Sequence, residues 1–175
     1  YEQPGRTQDR MPTRGFAAAL QTLNEMKDAG VLRDYAVGGA MALVFWAEPV
    51  ATYDLDVLVW LPVQDGPITS LGGLYDWLAK RGWTARAEHV PIAGIPVQFL
   101  PAHNALADEA ISTAALLDYS GVSVRVVRPE YLVALYLEPQ ARTLKRRERA
   151  AALCEGPGFD RQHLSEIMVR FQLTW

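Results

Sequence analysis

Cysteine is almost absent from this 175-residue sequence, where Cys154 stands alone. One thiol cannot close an internal disulfide, which excludes a disulfide-stapled scaffold and fits a reducing, cytoplasmic setting. Long apolar runs are missing as well. The best one, around Ala36–Leu61, is broken by Glu48, Asp54 and Asp56, so no membrane span is expected. There is no P-loop and no Gly-x-Ser-x-Gly elbow, which counts against a Walker ATPase and an α/β-hydrolase. His89, His103 and His163 have neither zinc-binding spacing nor a cysteine beside them. A strong excess of either charge is also lacking. A net charge of −3 and a pI near 5.6 exclude a generally basic nucleic-acid-coating protein and leave room only for a local basic patch.

What is present suits a packed core: half of the residues are apolar and 10% are aromatic. The length corresponds to one compact domain. Residues 1–14, polar and carrying Pro4, Gly5 and Pro12, read as a flexible arm and not as a signal peptide. Residues 15–128 read as an α+β core. A helix is expected from Phe16, Ala19, Leu20, Leu23 and Met26, ending at Gly30, and a short strand at Tyr35–Val37. A buried helix at Ala40–Ala47 precedes Pro49, and Asp54–Leu61 reads as a central strand closed by Pro62. Ile68, Leu71, Leu74, Tyr75 and Leu78 suggest a helix interrupted by Gly72-Gly73. Strands are expected at Trp83–Val90 and Gly94–Leu100 around a turn at Pro91–Ala93. Asn104 caps a helix through Ile111, and Ser120-Gly121 turns a hairpin between Ala115–Tyr119 and Val122–Val127.

Residues 129–175 read as a helical tail packed on the core, since it is too small for a core of its own. Pro129 opens its first helix, Arg142–Leu153 forms a charged one, and Asp160 caps the last. Arg142, Lys145, Arg146 and Arg149 recur at spacings that share one helical face. Such a stripe suits contact with a triphosphate or a nucleic acid, or plain solvent exposure.

The informative segment is Tyr35–Trp60, which sets Gly38-Gly39 at a strand-to-helix junction and an Asp54-x-Asp56 pair at the head of the next strand. Glycines let an anion approach the backbone amides, and the following helix adds the positive end of its dipole. Asp54 and Asp56 are two apart, so on a strand they face one side about 7 Å apart at Cα. Carboxylates about 5 Å apart repel by roughly 3 kcal/mol at an effective dielectric near 20, which invites a cation between them. Oxygen donors suit magnesium or manganese. Each part alone also has a plainer reading, a tight turn or two solvated carboxylates. Together they place an anion cradle beside a metal-binding pair, as transfer of a phosphoryl or nucleotidyl group requires.

This arrangement resembles the nucleotidyltransferase superfamily that includes DNA polymerase beta, and within it the small bacterial AbiEii-type and minimal nucleotidyltransferases. Gly94–Pro101, Val127–Leu137 and Arg142–Leu153 are similar to that family's later strand, following helix and basic helix. The resemblance implies a mixed sheet flanked by helices. It also implies Mg2+- or Mn2+-dependent transfer of a nucleoside monophosphate from a nucleoside triphosphate to an RNA or protein hydroxyl. Asp54 and Asp56 would bind metal, Gly38 and Gly39 the triphosphate, with Arg142 or Lys145 as a charge clamp. The AbiEii likeness implies an antitoxin partner. The family's third carboxylate corresponds here to Gln98, which carries no charge and is a negligible base. Glu88 on the neighbouring strand could stand in for it. Tyr136 replaces a lysine common in the family, and Lys145-Arg146 a Lys-Asp pair. A non-catalytic nucleotide-binding or partner-binding module is therefore the rival expectation.

Overall fold

A computed structural model describes residues 13–47, 51–63 and 70–175. The expected arm lies outside them, except that Thr13 and Arg14 open α1 (Thr13–Asp28). Pro49 and Ile68 also lie outside. After α1 come β1 (Asp34–Val37), α2 (Gly39–Trp46), β2 (Leu55–Trp60), α3 (Gly72–Ala79), β3 (Val90–Ile92) and β4 (Ile95–Pro101). The chain continues through α4 (Ala105–Ser112), β5 (Ala115–Tyr119), β6 (Val122–Val126), α5 (Pro129–Leu137), α6 (Leu144–Cys154) and α7 (Arg161–Arg170). A short 3-10 turn, Pro139–Ala141, joins α5 towards α6.

The strands form one mixed sheet in the order β3-β4-β2-β1-β6-β5. β1 runs antiparallel to β2 and parallel to β6, while β2 runs parallel to β4. The register assigns each side chain to a face. Tyr35 donates its hydroxyl proton to Asn24 Oδ1 of α1 at 2.6 Å, so the Tyr35 face is the α1 face. Its register partner Val59, with Val57 and Leu55 at alternate positions of β2 and their β4 partners Phe99 and Val97, shares that face, and all are buried. Residues between them, Asp56, Leu58 and Trp60 on β2 and Gln98 and Leu100 on β4, look the other way. There Trp60 Nε1 donates to Asp108 of α4 at 2.7 Å. The sheet thus has one sealed apolar face and one that carries the polar residues of the segment singled out above.

α5 is buried along most of its length, including Tyr131, Leu132, Val133, Ala134 and Leu137. Ala150 and Leu153 of α6 and Leu164 and Ile167 of α7 join the same apolar cluster. Buried Glu130 accepts the Asp160 amide at 2.9 Å, which fixes where α7 begins.

Three expectations shift. Trp83–Val90 is not a strand: pairing with β4 starts only at Val90, and Arg86 and His89 instead close a local bridge around Ala87, whose φ is +54°. Polar Arg86, Glu88 and His89 form a turn that the flanking apolar residues concealed. The turn into β4 falls at Ala93-Gly94, both at positive φ (50° and 82°), as two-residue hairpins require. Pro91 lies inside β3, which the sheet tolerates because β3 is an edge strand. Finally, Thr143 caps α6 by accepting the Arg146 amide at 3.2 Å, so Arg142 stands outside the helix and off the basic stripe.

Candidate functional site

The diglycine and the acidic pair meet at the junction of β1, α2 and β2. Gly38 is the N-cap of α2, and its amide donates to the Asp56 carbonyl at 2.9 Å. The first intrahelical bond is Ala42 N–H to Gly38 O at 3.1 Å, so the preceding amides form the open first turn of the helix. Gly39 has φ +55° and lies flat against the Asp56 side chain. A Cβ there would collide with Asp56 Oδ2 and sit 2.9 Å from its Cγ. Tyr136 of α5 donates its hydroxyl to the Gly39 carbonyl at 3.2 Å and so closes the corner from the helical side.

Asp56 is partly buried, and burial pushes its carboxyl above the usual aspartate range, with the negative charge of Asp54 adding to the rise. The positive charges of Arg146, His89 and Arg149 pull it back. Asp54 is exposed just ahead of β2, and the buried Thr52 hydroxyl holds it by bonding its carbonyl at 3.1 Å and its Oδ1 at 3.4 Å. Gln98 is the register partner of Asp56 on β4, so the amide and the carboxylate share a face one strand apart.

Among the described residues no group of three or more His, Cys, Asp or Glu side chains stands ready to hold a metal. Two carboxylates are nonetheless the protein share that magnesium commonly takes when substrate phosphates and water supply the rest. Burial, and after it the charge of Asp54, raises Asp56, so a cation beside the two carboxylates would be welcome. The donor set therefore fits a phosphate-assisted divalent ion.

The basic residues divide. Arg142 donates from Nε to the Leu137 carbonyl at 3.0 Å and from Nη2 to the Thr174 carbonyl at 2.6 Å, and it is not among the cations whose charge acts on Asp56. Lys145 lines a groove of 980 Å³ between α2 and α6, together with Trp46, Glu148 and Arg149. Arg146 lines a separate cavity with Gly38, Gly39, Asp56 and Tyr136. Its guanidinium stands 5.9 Å over the Tyr136 ring and is steadied by the Ala141 carbonyl at 3.1 Å. Burial raises the Tyr136 phenol, against the pull of Arg149 and Arg146. Arg146 and Arg149, noticed in sequence only as members of a stripe, are thus the cations whose charge reaches Asp56. His89 was visible only as a neighbour of Glu88, with Nδ1 4.0 Å from its Oε1. Its place beside Glu88 made it the histidine the sequence favoured for reaching the site, and its charge does act on Asp56.

No protein-family model and no curated protein sequence matches the chain. Solved structures do. The solution structure of the antibiotic-resistance factor ANT(2'')-Ia superposes with a TM-score of 0.55 at 18% identity, covering 91% of each chain. The crystal structure of ANT(2'')-Ia in complex with adenylyl-2''-tobramycin gives 0.56 at 18% identity, covering 90% of this chain and 97% of that one. An antigenic nucleotidyltransferase-like protein from Paracoccidioides brasiliensis gives 0.55 at 16% identity, covering 90% of this chain and 87% of its own. With its mixed sheet and flanking helices, the chain has a nucleotidyltransferase fold.

Proposed function

We propose that this protein is a metal-dependent nucleotidyltransferase that moves a nucleoside monophosphate from a nucleoside triphosphate to an acceptor hydroxyl. The observation that carries the reading is the contact of Gly39 with Asp56, two residues after Asp54, at the open first turn of α2. That contact brings one carboxylate against the open helix turn, with the second two residues earlier in the chain, and so supports an anion cradle beside a metal-binding pair.

In this reading the open amides of the first turn, from Gly39 to Met41, bind the triphosphate, Gly38 leaves room for it to approach while its own amide stays on the Asp56 carbonyl, and Arg146 and Arg149 neutralise its charge from the α6 side. Asp54 and Asp56 hold the divalent ion. When bound, Mg2+ or Mn2+ would neutralise phosphate charge and stabilise the attacking and leaving oxygens. Thr52 keeps Asp54 turned to its task, and Tyr136 fixes the Gly39 carbonyl so that the neighbouring amides stay aimed. A bond forms between the acceptor oxygen and the α-phosphorus while the bond to pyrophosphate breaks. Gln98 cannot take the hydroxyl proton, which passes to solvent. Arg142 has no part in this scheme.

The acceptor is a small molecule, an RNA or a protein. ANT(2'')-Ia, which shares the fold, has been crystallised with an adenylylated small molecule, adenylyl-2''-tobramycin. An AbiEii-type toxin working in the cytoplasm beside an antitoxin is the narrower form of the proposal. Incubation with labelled triphosphates, Mg2+ and candidate acceptors tests the reading: transfer should need the metal and vanish in Asp54→Asn and Asp56→Asn. Transfer that persists in both variants would remove these residues from the mechanism.

Gln98 supports a second reading, a nucleotide-binding module without catalysis, because it faces Asp56 where a third carboxylate would complete the acid set. Tight, Mg2+-dependent triphosphate binding with no pyrophosphate release would favour it.

A further inference from the structure

The cavity that begins at Gly39 and Asp56 does not end there. It has a volume of 310 Å³ and runs along the sheet to Glu138 and His103, beyond the C-terminal end of β4. Pro101 pairs with Val59, three residues past Asp56, so the far end lies about 10 Å along the strands from the carboxylate. Leu58, Leu100 and Leu135 give the cavity an apolar lining.

Glu138 closes the far end. Its side chain is only 9% exposed, yet no lysine or arginine is paired with it among the described residues. Asn104 Nδ2 donates to Oε1 at 2.6 Å, and Gln140 Nε2 donates to Oε2 at 3.0 Å. His103 Nε2, on a half-exposed ring, stands 3.7 Å from Oε2, too far for a hydrogen bond. Asn104 is itself fixed, because its Oδ1 accepts the Ala107 amide at 2.9 Å as the α4 cap. A carboxylate has about four lone-pair sites, so each oxygen keeps one for a donor arriving from the cavity.

We infer that this cavity is the base pocket of the nucleotide site and that Glu138 selects guanine. The inference rests on the nucleotidyltransferase reading above. A nucleotide with its phosphates at Gly38 and Gly39 spans the slot, with its base lying flat on the leucines. Of the four common bases only guanine offers two adjacent donors on one edge, N1–H and the 2-amino group. These can meet both Glu138 oxygens at once. Adenine and cytosine present a single amino group beside a ring acceptor, which would face a carboxylate oxygen. Uracil presents one N–H between two carbonyls. A site built to receive two donors discriminates strongly against a ligand that lacks one.

The test is calorimetric titration of the full chain, with Mg2+, using the non-hydrolysable α,β-methylene analogues of GTP, ATP, CTP, UTP and ITP. The guanine analogue should bind about tenfold or more tightly than the adenine and pyrimidine analogues. The inosine analogue, which lacks the 2-amino group, should fall between. Glu138→Gln should abolish the guanine preference, lowering guanine affinity and raising that of adenine, whose amino group and ring nitrogen match the acceptor and donor of a carboxamide. The analogue series needs no variant, so a folding defect in Glu138→Gln would not spare the inference. Equal binding of all five, or a guanine preference that survives Glu138→Gln, would overturn the base pocket and leave the transferase reading standing. No binding of any analogue would overturn both.

Discussion

Gly39 and Asp56 occupy space that only a residue without a side chain leaves free: a Cβ on Gly39 would lie 2.9 Å from Asp56 Cγ. Two residues far apart in function, one a backbone device and one a charge, are made into a single site by that close approach. Position 39 also has φ +55°, a conformation that costs a side-chain-bearing residue of order 1–3 kcal/mol. Gly39→Ala should therefore lower the urea unfolding free energy by about that amount and displace Asp56. Gly38→Ala meets nothing nearer than the Asp56 carbonyl at 4.0 Å and should cost less. Equal losses in the two variants would contradict this account.

Asp56 is held above the ordinary aspartate range, chiefly by burial and then by Asp54. The folded state therefore disfavours its ionised form, and the residue weakens the fold at neutral pH. Asp56→Asn should raise the denaturation midpoint while reducing nucleotidyl transfer more than about 100-fold, beyond what losing an outer-shell partner of a metal costs. Metal affinity of the native protein should begin to fall, on acidification, at a higher pH than for an ordinary aspartate. Equilibrium unfolding beside a transfer assay reads both effects, and a destabilised Asp56→Asn would count against the electrostatics described.

Three of the basic residues, Arg142, Arg146 and Arg149, should separate by experiment as they do in their contacts. Arg146→Ala and Arg149→Ala should weaken triphosphate binding. Arg142→Ala removes bonds to Leu137 and Thr174 and should instead cost about 1 kcal/mol of stability, with triphosphate affinity little changed. Titration of each variant with a non-hydrolysable triphosphate checks the division.

Tyr35, buried between α1 and the sheet, has its phenol pushed up to about 12, mainly by burial. The unfolded chain ionises near 10, so from there towards 12 the native state holds a proton that the unfolded state has lost. This group's contribution is intact below pH 10 and drains away as pH rises towards 12, by roughly 2–3 kcal/mol in all. The loss between pH 10 and 12 should be steeper in the native protein than in Tyr35→Phe, as urea titrations at a series of pH values would read.

Much of this fold was legible in the sequence because apolar periodicity and turn chemistry agreed locally. Phe16 to Met26 marked α1, Asn104 capped α4, and Ser120-Gly121, both at positive φ, turned the β5–β6 hairpin. Trp83–Val90 misled because apolar Trp83 and Val90 bracket a polar turn that only pairing partners expose. Thr143 was overlooked as a cap, which drew Arg142 into a helix that begins after it. At the site, the spacing of Gly38, Gly39, Asp54 and Asp56 was visible. The approach of Tyr136 to Gly39, 97 residues away, was not, because long-range packing leaves no local periodic signal. The same holds for Glu138 and Asn104, joined at the far end of a cavity that no motif marks.

The most direct measurement is the Mg2+ dependence of binding a non-hydrolysable nucleoside triphosphate to the native protein, Asp54→Asn and Asp56→Asn. The account predicts binding that requires the metal and fails in both variants while their folds persist. Binding indifferent to Mg2+ and to both substitutions, or no binding to the native protein, would contradict it.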